Sequence, residues 1–460
     1  MAITGIGALF AALSIAAVLA SLSRAGLRPA AAVLGAAIPM SASAAAVLGW
    51  AGGASILVAT LAAGAFAAAA GIGALCEGLA GRPLRAPGAA LALIGFTALA
   101  VAGAFILPRI FEGATLVFPL DRTAVGVTGG ALKLPLLPLA PRASAVTQSA
   151  YLISSCAVFL AALWAAKRDR SVVGAALWAA TVSQIIFAAL DAAGWPGMEA
   201  VRTAAYQIAP AQGLAGFTRL TGAATEPSQF GLVSAALAAW HLWRWRESGM
   251  LRNGMAAAAM AALVAGSLST TALIALGFAA LWFAGGVFAR PKGPGFAASF
   301  CLIAAGLTAL GGWAWLGPEA VAIRAAADAM FADKLASESG VERLAWARQA
   351  MVNFEDTMGL GAGLGAAKAS GWLTALLGQT GLPGAALMLT FFASVFLART
   401  ANRAARAAAL TAFLGALLSE ARVDLGYVFF FLAAATVAAA EAQIPRFRRR
   451  PANAGLVLQR

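Results

Sequence analysis

Two arginine-bearing stretches hold the side chains best suited to chemistry. The first reads Arg219-Leu-Thr-Gly222-Ala-Ala-Thr225-Glu226-Pro227-Ser228-Gln229-Phe230-Gly231. Thr225 suits an N-cap and Pro227 suits a first helical turn, so a helix should begin here. The free N–H groups and partial positive charge of a helix N-terminus favour a phosphate, and Arg219 adds a planar fork that grips phosphate oxygens in pairs. The residues alone equally allow a second reading, in which Glu226 complements the helix dipole and Arg219 reaches for lipid headgroups.

The second stretch lies in 317–371. Val341, Leu344, Trp346, Met351 and Phe354 recur with helical period, and Ser339-Gly-Val-Glu342 matches a capping box, which makes Glu342 structural. Arg343 then falls in the first turn, where the dipole disfavours a cation and a bound anion would compensate it. Arg348 is five residues on, about 140° around the helix, so it is expected to pair with a carboxylate such as Glu355. The run Gly359-Leu-Gly361-Ala-Gly363-Leu-Gly365 offers close backbone approach to a phosphate, but neither a preceding strand nor a Walker pattern accompanies it. A tight re-entry into a bilayer explains it at least as well.

Metal and hydrolase chemistry find no residues here. His241 is the one histidine and sits among Trp240, Trp243 and Trp245. Cys76, Cys156 and Cys301 fall inside apolar segments, where thiols act as small hydrophobes. No metal and no cofactor is expected. Asp191, Glu420 and Asp424 lie at span ends, with Arg422 near enough in sequence to pair, so an ion relay is the weaker reading of these acids.

The elements that position these residues follow from composition. Hydrophobic residues make up 62% of the 460 and charged residues 11%, against about 25% charged in soluble domains. An all-α polytopic transmembrane bundle in one domain is the reading. Windows of about 20 apolar residues place spans at 2–22, 31–50, 54–78, 88–107, 147–166, 172–193, 228–243, 254–269, 271–289, 297–316, 372–397, 407–420 and 426–441, about 12–13 in all. Residues 2–22 lack the basic flank and cleavage site of a signal peptide and are taken as a retained first span.

The net charge of +14 is a topology signal. Placing Arg24 and Arg28 inside gathers 20 of the 32 basic residues inside with only 4 of the 18 acidic ones. The expected orientation has the N-terminus outside (periplasmic) and a basic tail, 442–460, inside. Nucleic acid is not an expected partner. Three polar excursions, 108–146, 194–227 and 317–371, fall outside. In the first, a Pro-rich segment through Pro135, Pro138 and Pro141 reads as a packed or membrane-skimming loop, with Arg109, Arg122 and Lys133 as interfacial anchors.

Both arginine stretches resemble a known family. Arg219…Gly222…Glu226-Pro-Ser-Gln-Phe-Gly231 is similar to the loop-to-helix junction of bacterial O-antigen and exopolysaccharide polymerases. Arg343…Gly359-Leu-Gly-Ala-Gly-Leu-Gly365…Gly378-Gln-Thr-Gly381 resembles the glycine-rich region of the same superfamily. The order of segments fits from about residue 170 onward. The resemblance implies a metal-independent glycosyltransferase of the bacterial inner membrane, acting on undecaprenyl-diphosphate-linked glycans as donor and acceptor among membrane lipids, with a chain-length regulator as a possible partner. It assigns Arg219, Arg343 and Arg348 to the diphosphate and Glu226, with Arg343, to catalysis. Arg202, Tyr206 and Lys368, in the same two loops, are candidate substrate contacts. The ligase branch of the superfamily carries a histidine in its large outer loop; 317–371 has none, which favours a polymerase over a ligase. A transporter or lipid-linked sugar flippase is the alternative from another class. Where relatives often carry a Ser-Arg pair, this chain has Ser267-Leu-Ser-Thr-Thr271, so an arginine contact is expected to be missing there.

Overall fold

The computed structural model describes residues 2–23, 26–48, 54–81, 86–120, 136–204, 213–214, 216–289, 338–397, 400 and 402–442, with isolated positions at 321, 325, 328 and 330. Small residues set how its helices meet. A Cβ on Gly35 would lie 2.0 Å from the Ala176 carbonyl oxygen, and one on Gly7 as close to that of Ala45. Such approach suits packing in lipid, where van der Waals contact rather than water exclusion draws helices together.

The helices in chain order are α1 (Gly5–Ser21), α2 (Arg28–Ala37), α3 (Val58–Leu79), α4 (Gly88–Ile110), α5 (Ser144–Arg168), α6 (Ser171–Ala192), the short α7 (Met198–Val201), α8 (Pro227–Ser248), α9 (Leu251–Gly266), α10 (Thr270–Ala289), α11 (Glu338–Asp356), α12 (Trp372–Phe396), α13 (Arg403–Ser419) and α14 (Gly426–Glu441). Among the described residues six are long and apolar enough to cross a bilayer: α3, α4, α5, α6, α10 and α12. Leucines and isoleucines such as Leu9, Ile15, Leu19, Leu75 and Leu79 stand exposed on the bundle's flank. An apolar belt of that kind has lipid as its natural solvent. The chain is an all-α polytopic membrane bundle. The expected span 297–316 and the tail beyond 442 lie outside the described residues.

The second expected span departs from its window. Helix α2 stops at Ala37 after 10 residues, about 15 Å of rise, because Pro39 lacks the N–H that a continuing helix needs. Coil follows to Ser43, and then β2 (Ala44–Leu48) pairs antiparallel with β1 (Ala2–Ile3) and β3 (Ala54–Leu57). This non-helical backbone is mostly buried in protein, and its polar groups are matched there. Ala42 N–H donates to the Ala223 carbonyl at 3.0 Å, the Ala42 carbonyl accepts from Ala204 N–H at 2.8 Å, and Ala44 N–H donates to Thr203 Oγ1 at 3.0 Å.

The excursion 108–146 is packed where it is described. Strands β4 (Leu116–Val117) and β5 (Leu137–Pro138) pair, and Phe111, Val117 and Leu139 bury against Ala362, Ala366 and Ala367. Arg109 is exposed and donates to the Phe105 carbonyl; Arg122 and Lys133 lie outside the described residues.

The glycine-rich run is a structural splice. Helix α12 breaks at Gly381 (φ 62°, ψ −164°), which strips carbonyls and an amide of their helical partners. The run fills the gap: Ala362 and Gly363 N–H donate to the Gly378 and Gln379 carbonyls at 2.8 and 3.0 Å, and Leu382 N–H donates to the Gly359 carbonyl at 2.9 Å. Gln379 ties the far side, accepting from Gly365 N–H at 3.2 Å and donating through Nε2 to the Ala367 carbonyl at 3.0 Å. With Gly361 N–H held by Thr357 Oγ1 at 3.0 Å, the N–H groups of Gly361, Ala362, Gly363 and Gly365 are all engaged within the protein. These engaged amides do not form a phosphate cradle.

At Gly361 (φ +85°) a Cβ would come within 2.7 Å of the Gln379 backbone. Gly361→Ala is therefore expected to destabilise the protein by about 2–4 kcal/mol, combining left-handed strain with overlap. Gly277→Ala, with nothing within 4 Å of the new methyl, should leave the melting temperature in detergent unchanged. Equal melting of the two variants would contradict the splice.

Candidate functional site

The Arg219–Phe230 junction is held by its neighbours at nearly every residue. Asp191, at the end of α6, accepts N–H groups of Thr221 and Gly222 on Oδ2, each at 2.9 Å, and pairs through Oδ1 with Arg202. Arg202 donates from Nε to the Gly222 carbonyl and from a terminal nitrogen to Thr221 Oγ1, both at 2.8 Å. This nearly buried pair clamps the 221–222 turn. Arg202 is thus a positioning residue rather than one aimed at substrate. Asp191 pairs with Arg202, not with Arg422, which forms a bidentate pair with Glu420 at 2.9 and 3.3 Å. Asp424 caps Gly426 N–H at 3.0 Å, and burial raises its carboxyl above the ordinary aspartate range.

From the other side, the turn between α9 and α10 presents its carbonyls to the junction. Leu220 N–H donates to Gly266 O at 2.9 Å and Arg219 Nε to Ser267 O at 3.1 Å. Leu268 adopts φ +46° in this turn, a strained conformation for leucine. The position expected to lack an arginine contact instead offers a backbone carbonyl that orients Arg219. The same turn reaches excursion 317–371 through Thr270 Oγ1, which donates to Met330 O at 2.7 Å.

Glu226, not Thr225, occupies the cap position of α8, with extended backbone (φ −153°, ψ 154°) and no side-chain capping bond. Thr225 Oγ1 donates to Gln229 Oε1 at 2.7 Å, and Ser41 Oγ from the α2 coil donates to the same oxygen at 3.0 Å. The Glu226 carboxylate accepts from Ser228 Oγ at 3.0 Å and is half-buried.

Arg219, Glu226 and Arg343 come together electrostatically. Burial lowers the Arg219 guanidinium below the ordinary arginine range, Glu226 opposes that, and Arg343 lowers it further. Two guanidiniums and one carboxylate, each half-buried, thus lie within electrostatic reach of one another near the uncapped N-terminus of α8. The three groups carry one net positive charge and so favour an anion.

Comparison with family models, with curated proteins and with solved structures returns no match.

The remaining expected residues are placed as follows. Helix α11 already includes Glu338, so Ser339 lies within it and the capping box is not formed; Glu342 Oε1 is buried without a hydrogen-bond partner among the described residues. Arg343 accordingly sits beyond the first turn. Arg348 is exposed on α11, apart from the Arg219 group, and makes no ion pair with the exposed Glu355 among the described residues. Lys368 rests its ammonium 3.5 Å from the Trp346 ring centroid, and its backbone N–H donates to Phe118 O at 2.7 Å. Because Trp346 follows Arg343 by three residues on one helix face, Lys368 approaches the site across α11. Tyr206 lies outside the described residues. Ser41 and Gln229 were not anticipated, since Ser41 is one of two serines in an otherwise apolar window; Pro39 just before it is the signal that the window breaks.

Arg202→Ala leaves the Asp191 carboxylate buried without its cation, which is expected to cost about 3 kcal/mol and to loosen the Arg219 turn. Thermal melting of the purified variant checks it, with Arg202→Lys recovering part of the loss. Wild-type stability in Arg202→Ala would show that the pair does not hold the turn.

Proposed function

We propose that the chain is a polysaccharide polymerase: a glycosyltransferase that joins undecaprenyl-diphosphate-linked oligosaccharide repeats at the outer face of a bacterial inner membrane. The observation that carries this reading is the grouping of Arg219, Glu226 and Arg343 at the N-terminus of α8. It joins the two stretches whose resemblance to O-antigen polymerases rests on separate parts of the sequence.

The chemistry asked of these groups is ordinary. An acceptor sugar hydroxyl attacks the anomeric carbon of the donor, the bond from that carbon to the diphosphate oxygen breaks, and the diphosphate leaves with the electron pair. Negative charge builds on the leaving oxygen, where Arg219 and Arg343, already oriented and half-buried, stabilise it. The proton of the attacking hydroxyl passes to Glu226, the one carboxylate of the group. Gln229 and Ser228 fix the turn that aims it. The engaged N–H groups of 361–365 leave the arginines, not the glycine run, as the phosphate grip.

With lipid-linked repeats, purified protein should produce a ladder of longer chains. Arg219→Ala and Arg343→Ala should each slow the ladder by about 10²–10³-fold, Glu226→Gln by about 10²–10⁴-fold, and Arg348→Ala only slightly. A folded Arg219→Ala or Arg343→Ala protein with full activity would overturn the assignment; transfer only to lipid A core would move the protein to the ligases; solute or lipid flux that survives both arginine changes would make it a transporter.

The same reading sets the orientation, with the Lys- and Arg-rich segments cytoplasmic. In a variant free of native cysteines, Glu199→Cys should react with an impermeant maleimide in intact cells, and Arg170→Cys only after permeabilisation. The reverse pattern would invert the topology and place the site inside the cell.

A further inference from the structure

The basic end of the bundle holds four acidic residues, and each is already engaged. Asp169 pairs with Arg28 at 2.8 Å, Glu247 with Arg244 at 3.1 Å, Glu77 with Arg168 and Glu441 with Lys167. The other arginines at this end must therefore be neutralised by something other than those carboxylates.

Three of them meet in one place. A cavity of about 290 Å³ opens between α8, α10 and α13, lined by Trp243, Arg246, Trp282, Gly286, Arg403 and Arg406. A water molecule takes about 30 Å³ in the liquid, so the space admits a group of several heavy atoms. Arg246 is 4% exposed, donates to the Gly286 carbonyl and lies 5.1 Å from the Trp243 ring centroid. Arg403 and Arg406 open α13 one turn apart, on neighbouring positions of one face. That placement is unfavourable twice over, through like-charge repulsion and through two cations at the positive end of a helix dipole. Among the described residues neither forms an ion pair, and Arg406 Nε is buried without a hydrogen-bond partner.

An anion reverses each of these costs. A phosphate offers oxygens to the guanidinium forks and sits at the positive end of the dipole, beside the Asn402 side chain that already caps Ala405 N–H at 3.0 Å. Trp243 and Trp282 place the cavity at the level where indoles favour the membrane–water interface. Basic pockets between membrane helices at that level take lipid headgroups. We propose that this cavity binds the phosphate headgroup of an anionic phospholipid. The site is distinct from the Arg219 group, lies at the opposite end of α8, and does not depend on the polymerase reading.

The test uses full-length protein in nanodiscs of phosphatidylcholine containing increasing phosphatidylglycerol, read by thermal melting and by native mass spectrometry of retained lipid. Phosphatidylglycerol should raise the melting temperature of the wild type and remain bound as a discrete adduct. Arg403→Gln/Arg406→Gln should lose the adduct and need on the order of tenfold more phosphatidylglycerol for the same shift. Arg170→Gln, which removes an exposed basic residue at the same end, should behave as wild type. If the double variant does not fold in phosphatidylcholine, each single variant is titrated in its place. An unchanged lipid dependence in the arginine variants, or an equal loss in Arg170→Gln, overturns the site. Equal protection by inorganic phosphate in phosphatidylcholine alone overturns its assignment to a lipid.

Discussion

A helix that breaks inside a bilayer exposes carbonyls and amides where no water can reach them, so whatever ends the helix must also supply their partners. In this protein that requirement falls on Gly381. The Gly359–Gly365 run enters beside it, takes over the orphaned groups of Gly378, Gln379 and Leu382, and, with the residues just after it, packs alanines against the loop 108–146. Helix α11 leads directly into that run and is tied to the same loop, with Gln349 Nε2 donating to Leu116 O at 2.7 Å and Thr115 hydrogen bonded to Asn353 at 3.1 Å. The position of Arg343 thus descends from the repair of a broken helix.

A second break does the same for Arg219. Pro39 ends α2 early, and the coil after it reaches the end of the bundle where α8 begins, where Ser41 and Ala42 stitch to Gln229, Thr225 and Ala223. Asp191 and Arg202 close the junction from the α6 side. Pro39 and Gly381 are thus the two interruptions of regular structure on which the site geometry rests.

Much of this was legible in the sequence, and the exceptions share a cause. Hydropathy located the bundle, and the Pro227 start of α8 followed from local stereochemistry. Arg219, Glu226 and Arg343 were marked by being cations and a carboxylate beside helix ends. What failed depended on partners distant in sequence. The window over 31–50 counts apolar residues and cannot separate helix from buried coil and strand of the same composition. Arg202 reads as an available cation until the fold brings Asp191, Thr221 and Gly222 around it. The glycine spacing fits a phosphate loop until Gly378 and Gln379 are seen to accept its N–H groups. Arg348 and Glu355, seven residues apart, satisfy helical spacing and still stay apart, because exposed side chains gain little from pairing.

The two arginines of the site are anchored by different elements. Arg343 rides on α11, which packs on α12 and through it on α4 and α5; Arg219 is fastened to the turn between α9 and α10, with α8 and α6 behind it. The separation of the two guanidiniums is therefore set by how α11 and the α9–α10 turn are each held to their own neighbours within one continuous core. An anion held by both would tie those two elements to each other, so occupancy of the site would be felt at α11 and at the α9–α10 turn alike.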